Sequence, residues 1–156
     1  MDALDPQIAA YALNVLIALL LGMLLGVERT LAHKTAGLRT YGLVSMGSAL
    51  FIVIAQLVGD TQMMVTGADI MRVTAGIITG IGFLCAGVII LRDQTIVGLT
   101  TAAGLWIASG IGIAAGFGLY TIAFFTTFLT LLTLTIFWYV EKSLTTTLPV
   151  KNEEKI

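Results

Sequence analysis

Five uninterrupted apolar stretches govern what this chain can become. They run over residues 8–27, 40–58, 73–91, 99–117 and 119–140. Each approaches the roughly 20 residues a helix needs to cross the hydrocarbon at about 1.5 Å per residue. A lone span in hydrocarbon must satisfy its own backbone, which a helix does. Strands of a membrane barrel would be shorter and would alternate polar with apolar. The expected fold class is therefore all-α: a polytopic membrane bundle of five transmembrane helices over residues 1–142, followed by a short tail at 143–156. That tail is expected to form no domain of its own.

Composition closes off the alternatives. Only 11% of the 156 residues are charged, against roughly 25% in a soluble domain. The apolar share is 58%, before counting 17 glycines, a residue at home in membrane helices. A soluble globule of 16.5 kDa lacks the interior for so much apolar surface. Eight basic against nine acidic residues provide no basic patch for nucleic acid. The single cysteine, Cys85, excludes an internal disulfide framework and a multi-cysteine zinc site. No cofactor is expected, and no enzymatic activity. The one histidine, His33, sits in a loop, Ser45, Ser48 and Ser109 lie within spans, and no GxxxxGK[ST] loop occurs.

Charges fall between the spans. The first and third loops and the tail hold Arg29, Lys34, Arg39, Arg92, Lys142, Lys151 and Lys155, while the opposite side holds Arg72 alone. The positive-inside rule then places the amino terminus outside and the tail in the cytoplasm. The acidic start, Asp2 and Asp5, speaks against a cleaved signal peptide. Tyr11 and Tyr120 on one side and Tyr41, Trp138 and Tyr139 on the other are expected to form aromatic belts.

Small residues recur four apart at Ala18–Gly22–Gly26, Gly76–Gly80 and Ala108–Gly112–Gly116. Such stripes let backbones approach closely, within one chain or between subunits; packing within the chain is the preferred reading. The fifth span lacks glycine, and Phe124, Phe125 and Phe128 are expected to face lipid or a partner. Residues 21–43 and 81–105 resemble each other, sharing G-L-x-T at the start of the second and fourth spans. A parallel repeat of two helical hairpins is the expectation.

The polar residues worth following are few. Glu28, Arg29, Arg39 and Arg92, with Asp93, Thr40, Thr100 and Thr101, gather at the basic ends of the two hairpins. Two helix amino termini there could hold an anion; ordinary capping by Thr40 and Thr100, with snorkelling arginines, is the plainer account. Glu28 either joins a working cluster or, in the plainer account, belongs to an exposed Glu28–Arg29 end or an ion pair with Arg39. Asn14 is expected to face the interior, since lipid tolerates it badly. Asp69 and Arg72, three apart, are expected to pair at the outer start of the third span. Metal ligands stay open: Glu28 with Asp93, or Asp60 with Asp69, could offer oxygens to Mg²⁺. None of these lies at mid-bilayer, where coupled transporters keep their ion sites. Cys85 and Trp106 are expected to serve packing.

The stretches LLGMLLGVERTLAHKTAGLRT, GIITGIGFLCAGVIILRD and VGLTTAAGLWIASGIGIAAGFG, in that order, resemble the MgtC/SapB family of bacterial inner-membrane proteins. The likeness runs from about Leu19 to Gly118. It implies a role in growth under magnesium limitation, in acid stress and in virulence, as a regulator rather than a transporter. It also implies membrane-protein partners such as the F-type ATP synthase. The family's polar motif positions fall on Glu28, Arg29, Arg39, Arg72, Arg92, Thr100 and Thr101. Many relatives continue into a soluble cytoplasmic domain, whereas here only a short tail is expected after Lys142. Expected partners are thus the lipid bilayer and another membrane protein or a second copy, with no nucleic acid. A small oligomeric transporter or channel for Mg²⁺, protons or another small solute is the alternative.

Overall fold

A computed structural model describes residues 6–61, 67–92 and 95–147; for positions 60–61, 91–92 and 141–147 only the backbone is described. The helices are α1 (Pro6–Leu31), α2 (Leu38–Thr61), α3 (Gly67–Val88), α4 (Leu99–Gly116) and α5 (Tyr120–Thr147). Each contains a stretch long and apolar enough to cross a membrane. The chain is a multi-pass membrane bundle.

One element departs from the apolar pattern. The third span was expected to stay helical to position 91, but α3 stops at Val88. The chain then forms an antiparallel ribbon of β1 (Ile90–Arg92) and β2 (Thr95–Val97). Ile90 stands opposite Val97, Leu91 opposite Ile96 and Arg92 opposite Thr95. The β-branched runs Val88–Ile89–Ile90 and Thr95–Ile96–Val97 suit a strand. Gly98, at φ 94°, turns the chain back into α4, and a Cβ there would strike the Val88 carbonyl.

At the other end of the bundle α4 closes in a left-handed cap. Gly118 (φ 74°) bonds to the Ala115 carbonyl at 2.9 Å, and Leu119 to that of Ala114 at 2.8 Å. This turn sends α5 straight back along the bundle.

The core is built around α4, buried over most of its circumference by α2, α1 and α3. Two of the small-residue stripes make that possible. A Cβ on Gly22 would come within 2.6 Å of the Tyr41 carbonyl, and one on Gly26 would strike Leu38 Cα. A Cβ on Gly112 would overlap the Ser45 carbonyl, and one on Gly116 would lie 2.9 Å from Ile52 Cβ. The third stripe does no such work, because Gly76 and Gly80 have open space where a Cβ would stand. As a result α3 is held loosely. α5 is peripheral, with Phe124, Phe125 and Phe128 exposed.

Candidate functional site

Two polar clusters pin the bundle, one near each end. At the basic end Arg29 is only 3% exposed, a depth an arginine reaches only when paired. Its Nη2 donates to Glu28 Oε1 at 2.6 Å and its Nε to Glu28 Oε2. Successive helical residues do not ordinarily face each other; here both side chains curl together so that the guanidinium fork meets both carboxylate oxygens. The pair between Glu28 and Arg39 does not form. Arg39 and Thr40 are exposed.

Tyr41 lies beneath this pair, within electrostatic reach of both charges. It was expected in an interfacial belt, but it is fully buried. Its hydroxyl donates to the Thr101 carbonyl at 3.3 Å, and its ring end occupies the space above Gly104, where a Cβ would strike the hydroxyl. An apolar ring with one polar tip can fill a bundle core when the tip finds a partner. Beside it the Cys85 thiol donates to the Ala102 carbonyl at 3.2 Å, tying α3 to α4.

Capping differs from the expectation at both helix starts. Thr30, at the end of α1, accepts the Leu38 N–H at 3.1 Å and donates to the Gly26 carbonyl at 2.9 Å. Thr40 sits inside the first turn of α2. For α4 the cap is Gly98, with no side-chain cap bond. Thr100 is exposed and Thr101 buried. Arg92 belongs to β1. Asp93 lies outside the described residues. Of the expected cluster the structure joins Glu28 to Arg29, while Thr101 meets Tyr41 through its carbonyl and Arg39, Thr40 and Thr100 are exposed.

At the opposite end Asn14 is buried. Its Nδ2 donates to the Gly116 carbonyl at 3.0 Å, and the Tyr120 hydroxyl donates to its Oδ1. One amide thus holds α1, the end of α4 and the start of α5. Arg72 Nη1 donates to Asp69 Oδ1 at 3.3 Å, and both side chains are exposed.

Mid-bundle, Ser48 and Ser109 meet at 2.8 Å between Oγ atoms. Ser48 gives its proton to the Val44 carbonyl at 2.9 Å, so Ser109 is the donor across the α2–α4 contact. These two serines border a groove of about 580 Å³ between α2 and α3, lined also by Gly47, Gly76, Gly80 and Leu84. On the other flank of α3, Trp106 is 50% exposed and lines a smaller cavity with Ile78 and Ile81, so its indole packs only in part. Among the described residues no three His, Cys, Asp or Glu side chains gather within metal-binding range.

The MgtC family model matches residues 15–143. The Escherichia coli protein named "Putative magnesium transporter YhiD" is 38% identical over 132 residues, 83% of this chain and 61% of that protein. Protein MgtC of Salmonella typhimurium is 46% identical over 94 residues, 60% of this chain and 37% of that protein. The chain thus spans less than two thirds of either relative. No solved structure matches it.

Proposed function

The chain belongs to the MgtC family, and from that premise we propose that it is a membrane protein of magnesium homeostasis, acting as a non-enzymatic regulator through contact with other membrane proteins. In this reading it sits in a bacterial inner membrane with its basic end in the cytoplasm. The observation that carries it is the contrast among the three small-residue stripes. Two are consumed inside the molecule, while Gly76–Gly80 borders a groove with room for a closely approaching helix. Glu28 supports the same reading, since Arg29 engages both its oxygens and leaves it a clamp rather than an open cation ligand. The occupant is the transmembrane helix of a partner, and the F-type ATP synthase is the first to test.

The test uses a host lacking its own family members, grown at limiting Mg²⁺. The intact chain is expected to restore growth. Gly80→Trp, which fills the groove, is expected to abolish that rescue at equal abundance in the membrane. Liposomes holding the purified chain are expected to show no Mg²⁺ or proton flux above protein-free vesicles. The name of the Escherichia coli relative favours a second reading, transport of Mg²⁺. Flux abolished by Glu28→Gln would replace the regulator with that transporter.

A further inference from the structure

The ribbon of β1 and β2 has a composition that fits neither water nor hydrocarbon. Ile90 is 56% exposed, Ile96 61% and Val97 42%. Ile96 and Val97 are successive strand residues, so their side chains stand on opposite faces. Neither face is reserved for solvent. Yet a two-stranded ribbon also leaves backbone groups outside the ladder along its edges, and hydrocarbon cannot satisfy them. The layer that offers apolar contact and hydrogen-bonding water together is the headgroup interface.

The fold holds the ribbon close to the ends of two helices. One residue joins β1 to the end of α3, and one joins β2 to the start of α4. The left-handed Gly98 packs against the Val88 carbonyl and pinches the two roots together. The segments on either side carry exposed apolar side chains too: Phe83 and Leu84 on α3, Ile89 beside β1, and Leu99 on α4. We propose that the paired strands β1 and β2 are an interfacial lipid-binding element, seated among the headgroups and upper acyl chains at the basic end of the bundle. There it sets the height of α3, a helix that buries little of its surface in the core.

The experiment uses the full chain in nanodiscs of phosphatidylcholine and phosphatidylglycerol, with Cys85→Ala as background. Ile96→Cys and Val97→Cys each carry an environment-sensitive fluorophore, with far-UV dichroism as the check on folding. Lys34→Cys in the exposed α1–α2 loop is the aqueous reference, and Leu50→Cys within α2 is the deep one. Both ribbon probes are expected to emit to the blue of the Lys34 probe and to lose most of its quenching by iodide. They are expected to be quenched several-fold more by a nitroxide high on the acyl chain than by one near its end, the reverse of the Leu50 probe. Iodide quenching equal to that at Lys34 overturns the proposal, as does deep quenching like that at Leu50. So does shielding from both quenchers with self-quenching that fades on mixing in unlabelled chain, which would assign the ribbon to a second copy.

Discussion

The two hairpins that resemble each other in sequence are packed in different ways. In α1–α2, Gly22 and Gly26 lie against the backbone of the partner helix, and the contact between these helices is the most extensive in the molecule. Their counterparts in α3, Gly82 and Gly87, have open space where a Cβ would stand. The connections differ too: a loop capped by Thr30 in one, a β-ribbon pinched at Gly98 in the other. The likeness of residues is therefore not carried into the packing, and the parallel repeat is not confirmed. A glycine stripe permits close approach; whether approach occurs depends on what the facing helix presents.

That contrast can be broken or sharpened by substitution. The largest effect is expected where a glycine is enclosed. Gly112→Ala pushes a methyl into the Ser45 carbonyl and should lower stability by about 3 kcal/mol or more, read from reversible unfolding in detergent. Arg29→Gln removes the fork that neutralises Glu28 and should cost about 2–4 kcal/mol, with the loss reduced when Glu28→Gln is added. Asn14→Leu deletes the bonds to Gly116 and Tyr120 and should cost about 1–2 kcal/mol. Gly80→Ala is the smallest: with open space at its Cβ, it should be neutral or stabilise by up to about 1 kcal/mol through helix propensity. A loss at Gly80 matching that at Gly112 would show α3 to be as tightly enclosed as α4 and erase the difference between the hairpins.

The five spans were legible because hydrocarbon allows so few structures to an apolar run. The ribbon was not, since isoleucine and valine at the end of a span read alike in helix and strand. Tyr41 was misplaced for a related reason. An aromatic residue at the edge of a span looks interfacial unless the small residue that receives it, here Gly104, is known to face it. Asn14 was readable because lipid penalises its amide wherever it is not bonded. The Ser48–Ser109 bond joins residues far apart along the chain, and neither hydroxyl announces the other. Thr30 carries a local signal, a hydroxyl in the last turn of α1, but Thr40, opening the next apolar run, looks the better cap in the sequence. The Glu28–Arg29 clamp was hidden by adjacency, for neighbours on a helix ordinarily diverge.

The outward placement of the indoles has a practical consequence. The sequence holds two tryptophans, and both Trp106 and Trp138 are about half exposed. Intrinsic emission from this chain therefore samples the surrounding acyl chains more than the interior. Unfolding monitored by that light alone would understate the disruption of α1, α2 and α4, whereas brominated lipids would dim the native signal from Trp106 and turn it into a gauge of what borders α3.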